Sequence, residues 1–201
     1  SIISIKSQKL NGEICVPGDK SISHRALILG ACAVGKTTIE NLLESEDVLA
    51  TLNALKELGV KIKKNHSYWE IYGNGLGSLK NPHKTLNLGN SGTGVRLLMG
   101  LVSGCDITAS FTGDKSLNNR PMKRVLIPLQ RSGAEISSND YKLPITIKGN
   151  KIPIPINYTS SLSSAQVKSC VLLNGLTSTG HTFYSETVKS RDHTEKMLHF
   201  M

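Results

Sequence analysis

The fold is decided by the stretch SGTGVRLLMGLVSG, residues 91–104, in which a turn of small residues opens an apolar helix. Two other stretches have the same design: SISHRALILGACAVG at residues 21–35 and SAQVKSCVLLNGLTSTG at residues 164–180. A helix that is apolar on nearly all sides belongs in a protein interior. The sequence therefore predicts three buried helices with sheets outside them, which inverts the usual arrangement of helices around a sheet.

Each apolar helix is followed by further elements in the same order. These are β-like runs at TTIENL (37–42), ITASFTG (107–113) and TFYSETV (182–188), second helices at DVLATLNALKELG (47–59) and MKRVLIPLQRSG (122–133), and strands at VKIKK (60–64) and AEISS (134–138). We expect Asp47 to be the N-cap of its helix, and Gly59 and Gly133 to end the second helices. In the third copy the second helix begins at Asp192, and the chain ends inside it.

This order predicts an α/β fold built of repeated βαβαββ units. The expected repeats span about residues 19–80, 81–150 and 151–201, with the third one truncated. Solenoid repeats are about 20–50 residues long, so units of this length favour a few large packed copies over an array.

The composition describes an ordinary globular protein with an excess of positive charge. Hydrophobic residues make up 38% of the chain, and the net charge is +9. The charge favours an anionic partner, but an aromatic content of 4% and the lack of a nucleic-acid motif argue against nucleic acid. No apolar stretch is long enough to span a bilayer, and no signal-peptide pattern opens the chain. We therefore expect small anionic ligands, without nucleic acid or a membrane.

The four cysteines, Cys15, Cys32, Cys105 and Cys170, are widely spaced and form no CxxC pair. Three of them lie in apolar helix or strand sequences, which favours buried free thiols over disulfides or a zinc site. The sequence predicts a cytoplasmic protein that holds no metal ion.

The turns that open the apolar helices are suited to anions. The first amides of a helix lack internal partners and carry a partial positive charge, and small residues let an anion approach them. The first turn contains Lys20 and Ser21 and is followed by Arg25. The second turn is residues 90–93, followed by Arg96, and the third is residues 163–166. Two further cations, Arg120 and Arg191, each precede a second helix. One such turn is usually a plain N-cap. Three turns with five cations predict a ligand that has more than one anionic group.

A competing motif is GACAVGKT, residues 30–37, which matches the GxxxxGK[ST] phosphate loop of nucleotide-binding proteins. No later apolar run ends in an acidic residue that would hold magnesium. The stretch is also explained by a helix ending, with Gly35 as its C-cap and Lys36 at the surface. We expect the match to be accidental.

Five motifs resemble those of one enzyme family. They are PGDKSISHRA (17–26), LGNSGTGVR (88–96), TGDKSLNNRPM (112–122), SSAQVKSCVLL (163–173) and KSRDHTEKML (189–198). In this order and spacing they are similar to the signatures of the EPSP synthases, the enolpyruvyl transferases of the shikimate pathway, in the style of their class II branch. The family transfers the enolpyruvyl group of phosphoenolpyruvate to the 5-hydroxyl of shikimate-3-phosphate without a cofactor.

The resemblance implies roles for nine residues. Lys20 would be catalytic and would contact both substrates. Shikimate-3-phosphate would be held by Ser21, Arg25, Ser164, Ala165, Gln166 and Arg191. Phosphoenolpyruvate would meet the backbone of Gly92, the charge of Arg120 and the side chain of Gln166. In the family the herbicide glyphosate competes with phosphoenolpyruvate, and Gly92 leaves room for it.

The resemblance also implies a domain organisation. Residues 1–18 would be a strand segment of a second, largely absent domain, and residues 19–201 the substrate-binding N-terminal domain of an inside-out α/β barrel. The catalytic base lies in the second half of the family's chain, so these 201 residues would need that half for activity. A sister family acting on UDP-N-acetylglucosamine remains an alternative. It carries a cysteine in the loop matching residues 113–120, which here reads GDKSLNNR.

Overall fold

The structure is a computed structural model that describes residues 3, 5, 6, 9 and 11–201. The helices are α1 (Lys20–Cys32), α2 (Glu46–Glu57), α3 (Gly92–Ser103), α4 (Lys115–Asn118), α5 (Lys123–Arg131), α6 (Ala165–Gly175) and α7 (His193–Phe200). The strands are β1 (Val34–Glu40), β2 (Lys61–Lys64), β3 (Tyr68–Asn74), β4 (Leu86–Asn87), β5 (Thr108–Thr112), β6 (Glu135–Asn139), β7 (Lys142–Lys148), β8 (Asn157–Ser160) and β9 (Phe183–Glu186). Helices and strands are interspersed along the chain, so the predicted mixed α/β class is confirmed.

The strands of the described residues form three separate sheets. The first has the order β1-β3-β2 and is antiparallel. The second has the order β4-β5-β7-β6, in which only β4 and β5 are parallel. The third is the parallel pair β8-β9, where Tyr158 lies opposite Tyr184. The order β1-β3-β2 of the first sheet corresponds to β5-β7-β6 of the second.

Helix α3 lies at the centre of the core. Eleven of its 12 residues are buried, and it packs most extensively against α6. A β-carbon on Gly100 would lie 2.8 Å from the Cα of Cys170 and closer still to its carbonyl oxygen. Only glycine therefore allows α3 and α6 to approach this closely. Because α3 and α6 are apolar, their sides are buried, and a ligand could reach them only near their N-terminal ends.

The starts of α1, α3 and α6 are fixed by side-chain caps. Asp19, Ser91 and Ser164 each accept a hydrogen bond from the backbone amide three residues further along, at 2.8, 3.1 and 3.5 Å. Such caps satisfy one of the free amides of the first turn. They hold the neighbouring amides and the cations beside them in place. Gly59 and Gly133 follow α2 and α5 with φ angles of 89° and 95°, as predicted.

The prediction that Gly35 ends a helix is wrong. Helix α1 ends at Cys32, and Ala33 is its C-cap. Gly35 lies in β1 because pairing with β3 draws the chain into a strand directly after the helix. GACAVGKT therefore runs from a helix into a strand, whereas a phosphate loop joins a strand to a following helix. The nucleotide-binding alternative is excluded. Lys36 is at the surface, as predicted, 3.0 Å from the Glu70 carboxylate.

The prediction that Asp47 caps α2 is also wrong. Ser45 is the N-cap, and it makes no side-chain capping bond. The Asp47 carboxylate instead lies 3.1 Å from Lys20 Nζ, a residue far away in the sequence. The carboxylate that the local sequence pattern assigned to the N-cap therefore forms a tertiary ion pair instead.

The described residues before α1 form no strand and are largely exposed, Cys15 among them. The predicted strand segment at 1–18 also includes residues 1, 2, 4, 7, 8 and 10, which lie outside the described residues. Cys105 and Cys170 are buried free thiols, as expected, and Cys32 is partly buried. Within the described ranges, none of the helices is long and apolar enough to cross a membrane.

Candidate functional site

The start of α1 carries a group of predicted site residues. Lys20 is the first residue of the helix, and its ammonium pairs with Asp47 while remaining half exposed. Arg191, in the segment before α7, donates a hydrogen bond of 3.3 Å from Nη1 to Ser21 Oγ. Two cations therefore flank the free amides of the first turn, where an anion is favoured.

Arg25 lies one turn further along α1 and is only 3% exposed. Its Nε donates to Thr194 Oγ1 and its Nη2 to Ser169 Oγ, both at 2.7 Å, while Nη1 donates to the carbonyl oxygen of Ser21 at 2.9 Å. These bonds join α1 to α6 and α7. A guanidinium has five N–H donors, so two remain for a ligand. Burial, followed by the charge of Arg191, lowers the pKa of Arg25.

The starts of α3 and α6 are joined by Gln166. Its amide oxygen accepts a hydrogen bond of 2.9 Å from Arg96 Nη1, and its amide nitrogen donates to Thr93 Oγ1 at 3.1 Å. The amide is therefore held in one orientation. Ser164 and Ala165 directly precede Gln166, as the N-cap and the first residue of α6. The three residues predicted to bind shikimate-3-phosphate at α6 thus lie beside the start of α3.

Gly92 and Arg120 lie together on the other side of the α3 start. Arg120 Nη2 donates to the side chains of Asn90 and Ser116. A β-carbon at Gly92 would lie 2.8 Å from Arg120 Nη1 and 2.9 Å from Arg96 Nη1. The missing side chain therefore makes room for two guanidinium groups at this helix start.

Arg124, at the first turn of α5, was not identified from the sequence. It lines a cleft of about 610 Å³ together with Arg96 and Arg120. Burial, followed by the charges of Arg124 and Arg120, lowers the pKa of Arg96 to about 10. The only signal in the sequence is the spacing of Arg120 and Arg124, which places two cations within a few residues.

His24 is buried beside the site and is 1% exposed. Its Nδ1 lies 2.9 Å from Thr51 Oγ1. Burial is the main cause that lowers its pKa to about 4; Asp47 opposes the shift, and the charges of Lys20 and Arg25 add to it. The ring is therefore neutral at pH 7, and it supports α1 against α2 rather than adding a charge to the site.

A buried ion network holds the segment that carries Arg191. Lys168 Nζ on α6 lies 3.1 Å from Glu186 Oε1 and 2.7 Å from Glu195 Oε1. Glu186 also accepts from the backbone amide of Ser190 at 2.7 Å. Burial alone would lower the pKa of Lys168, but hydrogen bonds to Glu195 and Glu186 outweigh it and raise the pKa. Sequence reasoning missed this network, since its members lie on three separate elements.

The predicted site residues thus form two groups. One lies at the start of α1 and the other at the starts of α3 and α6, and Arg25 links them through Ser169 of α6. In the part of the chain that the structure describes, no cluster of His, Cys, Asp and Glu could hold a metal ion. The chemistry available is the binding of anions by cations and helix amides.

Capped helix starts and clustered cations in a mixed α/β domain are suited to anionic ligands. Residues 5–201 match the family model described as EPSP synthase (3-phosphoshikimate 1-carboxyvinyltransferase). The chain belongs to the EPSP synthase family, and the resemblance found in its motifs is confirmed.

Relatives support this assignment over nearly the whole chain. The chain is 54% identical over 199 residues to a 3-phosphoshikimate 1-carboxyvinyltransferase of Rhodopseudomonas palustris (strain BisA53), covering 97% of this chain and 45% of that protein. It is 52% identical to the protein of the same name from Bradyrhizobium sp. (strain BTAi1), covering 96% and 44%. The structure of EPSP synthase from Acinetobacter baumannii matches with a TM-score of 0.89 at 43% identity, covering 94% of this chain and 43% of that one. The chain therefore spans less than half the length of these relatives.

Proposed function

We propose that this chain carries the shikimate-3-phosphate side of an enolpyruvyl transferase active site. The reaction moves the enolpyruvyl group of phosphoenolpyruvate to the 5-hydroxyl of shikimate-3-phosphate and releases phosphate. The observation that carries the proposal is the meeting of capped helix starts with cations, in which Gln166 joins α6 to α3. Both substrates bear a phosphate and a carboxylate, and such groups are what this arrangement favours.

Shikimate-3-phosphate is assigned to the start of α1 and the start of α6. Its ligands would be Lys20, Ser21, Arg25, Ser164, the backbone of Ala165, Gln166 and Arg191. Lys20 and Arg191 flank one helix start, and Arg25 retains two free N–H donors between the helices. Charged hydrogen bonds of this kind are about twice as strong as neutral ones. Two anionic groups on one ligand would therefore engage both helix starts at once.

Phosphoenolpyruvate is assigned to the start of α3. Gly92 would offer its backbone, Arg120 its guanidinium and Gln166 its amide, while Lys20 would contact both substrates and act as the catalytic residue. The 5-hydroxyl gives up its proton as its oxygen bonds to C2 of phosphoenolpyruvate and C3 gains a proton. Phosphate then leaves C2 as C3 loses a proton, which re-forms the double bond. Cations already in place stabilise the charge that develops in these steps without reorganising.

The proposal includes a second domain. Residues 1–18 would join it as a strand segment, and residues 19–201 would form three βαβαββ repeats of an inside-out barrel with its helices buried. The shared strand order of the first two sheets supports the repeat. The burial of α3 supports the inside-out arrangement. The base and further cations would come from the second half, since this chain spans about 45% of its relatives. The proposed location is the cytoplasm, as expected from the sequence.

Titration of this chain with shikimate-3-phosphate tests the proposal. Arg191→Gln should weaken binding by about tenfold, because one charge-assisted hydrogen bond is lost. Arg191 is a cleaner choice than Arg25, whose loss would also disconnect α1 from α6 and α7. The matched control is Lys196→Gln, which removes a cation of α7 that pairs with Asp192 in solvent. Equal affinities for all three proteins, or tighter binding of ATP than of shikimate-3-phosphate, would contradict the proposal.

A phosphate-release assay tests the division of the active site. This chain alone should show no turnover, because a closed cleft, a base and further cations are missing. Adding the separately produced second half of the Rhodopseudomonas palustris relative should restore it. Turnover by the chain alone would refute the two-domain part of the proposal.

A further inference from the structure

The cleft beside Arg120 extends beyond the residues assigned to phosphoenolpyruvate. Its basic side chains include Arg96, Arg120 and Arg124, here called the basic wall, and Ile127, Tyr158 and Leu162 also line it. Apolar atoms beside charged ones lower the local dielectric constant and strengthen the binding of an ion there.

The arginines of the basic wall have only neutral partners. Arg96 donates to Gln166 and to the carbonyl oxygens of Gly92 and Pro121. Arg120 donates to side-chain oxygens of Asn90 and Ser116. The ion pairs found among the described residues all involve lysine, none of them arginine. The wall therefore carries positive charge that the protein does not balance.

Asp114 is the carboxylate whose charge interacts with Arg120, but its oxygens are hydrogen-bonded to other groups. Asp114 accepts a bond of 2.7 Å from the backbone amide of Leu117 and another of 2.7 Å from Asn90 Nδ2. It caps α4 and holds the Asn90 turn instead of neutralising the cluster.

Unpartnered donors point to a ligand at this wall. Arg96 is 4% exposed, and its Nε lacks a hydrogen-bond partner among the described residues. The buried Nε of Arg124 lacks one as well. A buried N–H without a partner is costly, and a bound oxygen would relieve that cost.

We infer that Arg124 is a further binding residue, which completes with Arg96 and Arg120 a subsite for the dianionic phosphate group of a small ligand. The inference deepens the proposed function and rests on it, because phosphoenolpyruvate enters and phosphate leaves on this side. Planar guanidinium groups match phosphate oxygens in pairs, so three of them surround a phosphate better than three ammonium groups would.

The test is calorimetric titration of this chain with phosphoenolpyruvate and with inorganic phosphate, each in the presence of shikimate-3-phosphate. Arg124→Gln should weaken both ligands by about tenfold and leave shikimate-3-phosphate binding unchanged. Arg124→Lys should restore only part of the loss, because an ammonium lacks the paired donors. The control for net charge is Lys115→Gln, an exposed cation of α4 near the site, which should change neither affinity by more than about twofold. Thermal melting by circular dichroism confirms that each variant is folded.

Three outcomes would overturn the inference. They are wild-type binding by Arg124→Gln while Arg120→Gln binds weakly, an equal loss in Lys115→Gln, and no binding of either ligand by the wild-type chain. The first leaves the proposed function intact. The shikimate-3-phosphate titration of Arg191→Gln reports on that function separately.

Discussion

Two side chains at the start of α6 have opposite electrostatic surroundings. Lys168 contacts Glu186 and Glu195, so its charge is balanced by the protein. Gln166 contacts Arg96. Arg96 lines the cleft together with Arg120 and Arg124, and none of these three arginines pairs with a carboxylate among the described residues. The two regions are two residues apart in the sequence, yet one network is complete and the other is not.

The comparison distinguishes charges that stabilise the structure from charges that are available to bind a ligand. Burying a charge is costly unless it is paired and hydrogen-bonded. The Lys168 network meets that condition within the chain and fixes the segment that carries Arg191. The arginines of the basic wall are hydrogen-bonded only to neutral oxygens. Their positive charge therefore remains available to attract a dianion.

The largest effect should come from breaking the balanced network. Lys168→Met leaves Glu186, whose side chain is 9% exposed, without its cation. Removing one partner of a buried pair costs about 3–5 kcal/mol of unfolding free energy, so the urea midpoint should fall sharply.

Two further variants sharpen this prediction. Lys148→Met, in the exposed pair with Glu135, should leave the urea midpoint unchanged. Lys168→Met combined with Glu186→Gln should recover part of the loss, because the side chain at position 186 then carries no buried charge that lacks a cation. If Lys168→Met behaves like Lys148→Met, the distinction between the two regions is wrong.

A buried group can also avoid the cost of charge by remaining neutral, as His24 does. Its pKa is about 4 in the folded state and 6.5 in the unfolded state. The unfolded chain therefore binds the proton more readily between these values, and stability falls as the pH drops from 6.5 towards 4. The contribution of His24 to that loss should be about 3 kcal/mol at pH 4.

Urea unfolding of His24→Asn at pH 7 and pH 4 tests this contribution. Asparagine can keep the hydrogen bond to Thr51 and does not titrate, so the loss of stability on acidification should be smaller than in the wild type. His66→Asn replaces an exposed ring and should leave the acid-induced loss as it is. A His24→Asn profile parallel to the wild type would show that the ring does not control acid stability.

The smallest effect should come from crowding the arginine cluster. In Gly92→Ala the new methyl group meets the terminal nitrogens of Arg96 and Arg120, so side chains rather than backbone have to shift and the loss of stability should be small. The displaced guanidinium groups should bind phosphoenolpyruvate roughly tenfold more weakly. Inhibition by glyphosate, measured after adding the second half, should weaken further. Shikimate-3-phosphate affinity is the internal control and should stay constant. An unaltered glyphosate inhibition constant would refute the steric explanation.

Local features of the fold could be predicted from the sequence. The apolar character of α1, α3 and α6 and the glycines after α2 and α5 are encoded within a few neighbouring residues. Gly35 and Asp47 were misassigned because pairing with β3 and the ion pair with Lys20 decide them, and both partners are distant in the sequence.

The same limit applies to the candidate site. Motifs identified nine residues because a family pattern preserves their spacing. Arg124 carries no motif of its own, and the role proposed for it rests on its position in the lining of a cleft. The ion pairs of Lys168 could not be predicted either, since its two carboxylate partners lie on β9 and α7.

Arg25 has a consequence for the order in which the protein is made. Its partners Ser169 and Thr194 are 144 and 169 residues further along the chain. At about 5–20 residues per second, roughly 10–30 seconds of translation separate the residue from these partners. During that time α1 has been synthesised but its guanidinium has no native side-chain acceptor. Helix α1 therefore reaches its final environment only after Thr194 has been synthesised.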